Sequence, residues 1–225
     1  MFRVINKIRL LVFAAYTNLV YLFIEKPKGV DFIRRDDSSL SLSASATSYC
    51  SIPQKTMKKV MLDIPIKPGD AFLDIGSGKG YILYLAQKMG FNRVHGIDLA
   101  RGLCETAAKN INALNISEKA TVECSDATEY DNLDNYSVLF MSNPFSETVM
   151  VKFVENIEKS LRRNPRELTI IYINPCCNSI LERSPLIQLS EKRYVQVYNP
   201  MKKWTVNYYK SLCRPLETNL EPQSY

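Results

Sequence analysis

Three glycines at alternate positions, Gly76, Gly78 and Gly80, follow an acid, Asp74, in the stretch "FLDIGSGKG". Glycine admits positive φ and lets a ligand come close to the backbone, so a turn of this kind between strand and helix is a ligand cradle. Phosphate is the common occupant, and the spacing can be tested against it. The dinucleotide pattern G-x-G-x-x-G fails, because the third glycine position is Tyr81 when counted from Gly76 and Leu83 when counted from Gly78. A P-loop fails too, for want of G-K-[ST] at the required distance. The pattern is D-x-G-x-G-x-G, with an acid two residues before the first glycine, and phosphate becomes the less fitting occupant. Two more acids recur downstream, Asp98 in "GIDL" and Asp126 in "CSDATEY", and "MSNPFSE" then places Asn143, Pro144 and Phe145 in a row.

These residues need elements to hold them. "AFLDI", "RVHGID", "ATVECSD", "YSVLFMS" and "ELTIIYINP" are short apolar runs that read as strands. Between them, Ile82, Leu83, Leu85, Ala86 and Met89 repeat at helical spacing, as do Leu103, Ala107, Ile111 and Leu114. Val149, Met150, Phe153, Val154, Ile157 and Leu161 line one face of a further helix. Strands alternating with helices predict an α/β fold with a doubly wound, mostly parallel sheet. "RYVQVYN" and "WTVNYYK", flanking "PMKK", predict an antiparallel C-terminal hairpin, and with it a seven-stranded sheet. In such a sheet ligands bind beyond the carboxyl ends of the strands, where the three acids and Asn143 fall.

With these residues in place, "LDIGSGKG" resembles motif I of the class I, seven-strand, Rossmann-like S-adenosylmethionine-dependent methyltransferases. The resemblance implies S-adenosylmethionine as cofactor. Asp74, Gly76, Ser77, Gly78 and Gly80 would take its amino-acid part. Asp98, with Leu99 beside it, would take the ribose hydroxyls, and Asp126 with Ala127 the adenine. Asn143-Pro144-Phe145 resembles the [DNS]-P-P-[YFW] motif of amino-group methyltransferases, with one proline where the full signature has two. That likeness implies that Asn143 orients an acceptor nitrogen and that Pro144 and Phe145 shape the catalytic site, with Asn143 also facing the cofactor. Tyr49, Ser51 and Pro53 look like the cofactor-covering segment of protein lysine methyltransferases, ahead of a helix expected from Gln54 to Leu62. A protein side chain is the favoured acceptor class. Open beside it stand a small molecule, a glycan precursor or nucleic acid, and a cofactor-binding module without catalysis.

Composition narrows the partners. The formal charge is +6, and the first 37 residues hold seven Lys or Arg against four Asp or Glu, a modest excess with no basic stripe. Nucleic acid is therefore disfavoured as a partner. Six scattered cysteines without C-x-x-C spacing and a single histidine, His95, predict no metal site and a reducing, cytoplasmic setting. His95 lies within the second strand, where a core position is expected rather than a general base. Leu10 to Ile24 is fifteen uncharged residues after Arg3, Lys7 and Arg9, short of the roughly 20 needed to span a bilayer. Residues 1–28 can dock on the domain or lie peripherally on a membrane or partner; both readings stay open. The expected organisation is a helical leader over 1–37, a Ser-rich connector with a lid helix over 38–65, and the cofactor-binding domain over 66–225.

Overall fold

A computed structural model describes residues 27, 29–32, 54–62, 64–196 and 203–212. Helix α1 spans Gln54–Met61 and is followed by β1 (Ala71–Ile75), α2 (Tyr81–Lys88), β2 (Arg93–Asp98) and α3 (Arg101–Ala113). Then come β3 (Ala120–Cys124), β4 (Val138–Ser142), α4 (Glu147–Arg163), β5 (Thr169–Ile173), α5 (Asn178–Glu182), β6 (Ile187–Gln196) and β7 (Lys203–Ser211). The strands form one seven-stranded sheet in the order β3-β2-β1-β4-β5-β7-β6. β1 to β5 pair in parallel, and β7 runs antiparallel between β5 and β6. The expected α/β doubly wound sheet with an antiparallel C-terminal hairpin is what forms. The order reverses between β1 and β4, so a crevice opens where their carboxyl ends part.

Each face of the sheet is covered for a reason visible in the sequence. Met57, Val60 and Met61 of α1 and Tyr81, Leu83, Leu85 and Ala86 of α2 bury against Phe72, Phe140, Ile171 and Val206. On the other face, Met150, Phe153, Val154, Ile157 and Leu161 form the apolar stripe of α4 and pack on Leu73, Leu139, Met141, Ile170 and Tyr172. Full burial of such side chains contributes about 1.5–3 kcal/mol each, which fixes the helix on the sheet. Charge agrees with direction: Glu147 lies in the first turn of α4 and Arg162 and Arg163 in the last.

One expectation changes, and another is refined. β6 begins at Ile187, six residues before the expected "RYVQVYN". It is an edge strand whose first half is largely exposed, so it carries no apolar run to announce it. His95 is largely but not wholly buried; its Nδ1 meets Thr121 Oγ1 at 2.7 Å, and its ring lies near parallel to those of Tyr130 and Tyr136. Its side chain is 15% exposed, at the margin of the core, with Nε2 buried.

Candidate functional site

β1 delivers Asp74 into the sheet with 2% exposure, and the chain then turns at once. Gly76, Gly78 and Gly80 all have positive φ, at 77°, 53° and 80°. Gly76 and Ser77 donate their N–H groups to Ile97 O at 2.9 and 3.0 Å, hooking the turn onto the end of β2. A Cβ on Gly76 would lie 2.9 Å from Pro144 Cβ, so the loop and the Asn143-Pro144 turn touch across the crevice. Gly80 has its own reason to be glycine: a Cβ there would meet Ala107 of α3 at 3.2 Å, in a backbone conformation that L side chains rarely adopt.

Two buried polar atoms in this cradle have no hydrogen-bond partner: Asp74 Oδ2 and Ser77 Oγ. Burial, and then the neighbouring Asp98 charge, hold the Asp74 carboxyl well above the usual carboxylate range. An orphaned buried carboxylate asks for a cation, because burying the charge unpaired is costly. Asp98, at the end of β2, accepts from Gly78 N at 2.8 Å through Oδ2 and from Ala100 N at 2.9 Å through Oδ1. Each of its oxygens keeps a second lone pair for a hydroxyl. Burial raises its pKa, partly offset by those two N–H donors. Leu99 next to it is 54% exposed, an apolar surface beside the carboxylate. Asp126, two residues past β3, turns Oδ1 onto its own loop at Thr128 N, 2.8 Å away, and Ala127 is buried next to it.

Across the crevice, β4 and β5 end alike. Ser142 and Ile173 are the last paired residues, and the next residue on each strand is an asparagine followed by proline. Both asparagines are left-handed, Asn143 with φ 47° and Asn174 with φ 49°. Tyr172, wholly buried, donates its hydroxyl to Asn143 Oδ1 at 3.3 Å and accepts from Cys177 N at 3.3 Å. One phenol thus bridges the two turns and fixes which way the Asn143 amide faces. Burial drives the Tyr172 pKa upward, so the phenol remains a donor at neutral pH. Phe145 packs edge-to-face on Phe153 of α4 at 5.4 Å, which seats the turn on the helix.

A family model described as "Methyltransferase domain" matches residues 72–164. A ribosomal protein L11 methyltransferase from Anoxybacillus flavithermus is 28% identical over 49% of this chain and 34% of its own length. The chain thus spans about a third of that curated relative. Among solved structures, an RNA methyltransferase from Salinibacter ruber in complex with S-adenosyl-L-homocysteine superposes with a TM-score of 0.56 at 15% identity. That match covers 76% of this chain and 99% of the other. A SAM-dependent methyltransferase from Aquifex aeolicus gives 0.52 at 21% identity, over 68% of this chain and 88% of the other.

Residues 72–164 thus match a methyltransferase domain, on a sheet of the class I, Rossmann-like kind. Its cofactor is S-adenosylmethionine, and the residues present fit that molecule: orphaned Asp74 and Ser77 for the amino-acid end, Asp98 for the ribose, Asp126 and Ala127 for the base. Loop, acids and Asn143-Pro144 all lie at the carboxyl edge of the sheet. Tyr49, Ser51 and Pro53 lie outside the described residues, as does the Ser-rich stretch before them. Sequence reasoning did not find Tyr172 or Asn174. Tyr172 sits inside a fully apolar strand, where an aromatic residue reads as core; for Asn174 the repeated Asn-Pro at the ends of adjacent strands was the available signal. Among the described residues no group of acids, cysteines and histidine is arranged to hold a metal, and no helix is long and apolar enough to cross a membrane.

Proposed function

We propose that this protein is an S-adenosylmethionine-dependent methyltransferase whose acceptor is a nitrogen, on a protein side chain. The observation that carries the reading is the Asn143 carboxamide, held by the Tyr172 hydroxyl at the end of β4 while Pro144 abuts the glycine loop. Bound cofactor supplies a methyl group on a sulfonium, ready for in-line displacement by a lone pair. Everything else is positioning, worth effective molarities of roughly 10⁵–10⁸ M in favourable cases.

An amine reacts only when neutral, and a carboxylate beside it would stabilise its protonated form. A carboxamide accepts the same N–H hydrogen bond without that bias. Asn143 Oδ1 accepts from the Tyr172 hydroxyl, and a carboxamide oxygen is the kind of acceptor that would orient an incoming N–H. Asn174, one strand over and partly exposed, offers a second carboxamide to a group with more than one N–H. Aligned relatives that methylate a ribosomal protein, by name, support a protein acceptor.

Tritiated S-adenosylmethionine incubated with the protein and a fractionated host lysate tests this. Label should enter material that protease destroys and ribonuclease leaves intact, and amino-acid analysis should return an N-methylated residue. Label in ribonuclease-sensitive material or in small molecules would overturn the protein acceptor. An Asn143→Ala variant that labels as fast as wild type would remove Asn143 from the chemistry.

A further inference from the structure

We propose that Asp31, far upstream of the matched domain, is a positioning residue of the cofactor loop, and that the strap carrying it, residues 29–32, is energetically coupled to cofactor binding. The proposal rests on reading Gly76–Gly80 as the loop that holds S-adenosylmethionine.

Lys79, inside that loop, is 3% exposed, and lysine is almost never so buried without a partner. Its Nζ lies 3.0 Å from Asp31 Oδ2. Asn110 of α3, also 3% exposed, completes the joint with its side-chain amide. Its Oδ1 accepts from Asp31 N at 2.8 Å, and its Nδ2 donates to Asp31 O at 3.0 Å and to Lys79 O at 2.9 Å. Strap, loop and helix are thereby tied at one point, through the backbone of the strap and both the carbonyl and the ammonium of Lys79.

The flanking residues lock the strap from both sides. Val30 and Phe32 are buried in the main core, and the Phe32 ring packs on Tyr81 and Tyr84 of α2 at 5.1 and 6.1 Å. α2 begins right after Gly80, so the strap holds the loop and the first turn that follows it. On the opposite side, Gly78 N donates to Asp98 Oδ2 at 2.8 Å. The loop is thus pinned in front by the residue expected to bind ribose and behind by Asp31 and Asn110. Replacing the Asp31 carboxylate, itself 45% exposed, takes one charged partner from a buried ammonium, which is unfavourable in place. Any shift of Lys79 in response is passed to Gly78, its neighbour in the loop.

Coupling of this kind is reciprocal: if the strap favours the binding-competent loop, bound cofactor must tighten the strap. Hydrogen exchange on the full-length wild-type protein reads this without any variant. S-adenosylhomocysteine should slow exchange at the amides of Asp31 and Phe32 by about tenfold, within the range usual for coupled sites. By calorimetry, Asp31→Asn and Lys79→Met should each weaken S-adenosylhomocysteine binding about tenfold, and the double variant should be no weaker than either, because they break one interaction. A strap of purely structural value would lower the melting temperature but leave the affinity of the folded protein and the exchange pattern unmoved; that result overturns the proposal. Failure of wild type to bind S-adenosylhomocysteine would instead overturn the cofactor reading, and the strap with it.

Discussion

At the carboxyl ends of β1, β2 and β3 stand carboxylates, Asp74, Asp98 and Asp126; at the ends of β4 and β5 stand carboxamides, Asn143 and Asn174. The two groups face one crevice, and Pro144 against Gly76 shows how closely they meet. The proposed function gives the two groups different tasks, and their chemistry suits them. The first half would hold a molecule with a permanent sulfonium charge, an ammonium and two hydroxyls, all of which a carboxylate favours. The second, on the proposed function, would receive a nitrogen with its lone pair free, and negative charge there would keep that nitrogen protonated. Burial sharpens the contrast, since an unpaired carboxylate such as Asp74 is unfavourable until its cation arrives.

The comparison breaks most severely at Asp98. Asp98→Ala removes the acceptor of Gly78 N and Ala100 N as well as that of the ribose. Hydrogen bonds to a charged group contribute about 1.5–3 kcal/mol each, so losing two costs cofactor affinity about a thousandfold. Titration calorimetry with S-adenosylhomocysteine decides it; unchanged affinity would remove Asp98 from the site. On the other side, Asn143→Ala should lower kcat by about a hundredfold, the scale of losing one preorganised hydrogen-bonding group, while the affinity for S-adenosylhomocysteine stays at the wild-type value.

Making the halves alike is the sharper test. Asn143→Asp should shift the rising limb of the pH–rate profile upward by about one unit, because a nearby carboxylate raises the pKa of the acceptor amine. An unshifted profile would mean that the acceptor does not enter as a titrating amine. Asn174→Ala should act more weakly, raising the acceptor KM about tenfold, roughly one hydrogen bond, with cofactor binding intact. An equal effect on cofactor and acceptor would place Asn174 in the fold rather than in the acceptor contact.

The same division governs what could be read from the chain beforehand. The cofactor half is written in local signals: each acid ends an apolar run, and the glycines fall where the backbone needs positive φ. The acceptor half depends on pairing between strands. Tyr172 reaches Asn143 across a separation of 29 residues, and in sequence it is one more aromatic in "TIIYI". Asp31 and Asn110 are 79 residues apart, and nothing in either neighbourhood announces the other. α5 is five residues long, too short for a periodic face. Parallel strands buried on both faces were plain, whereas half of β6 was lost because an edge strand can be polar.

The smallest effect, and the one that isolates the charge, belongs to Asp74. Its folded-state pKa is raised by burial, so the native protein binds a proton that the unfolded chain has released. Stability from this group is therefore complete below the ordinary carboxylate pKa and is lost as pH rises through the elevated one. Without cofactor, the melting temperature should fall by a few degrees as pH rises from about 4, the ordinary carboxylate range, through the raised Asp74 pKa. Asp74→Asn should flatten that slope and raise the melting temperature at the alkaline end. Saturating S-adenosylmethionine should flatten it in the wild type, because an ammonium beside Oδ2 returns the carboxylate to its charged form. Cofactor affinity must then rise with pH over the same window in wild type and lose that dependence in Asp74→Asn. If the variant keeps the wild-type slope in both measurements, the orphaned carboxylate is not where the ammonium goes, and the division of the crivice into an acidic and a neutral half would fail at its most buried member.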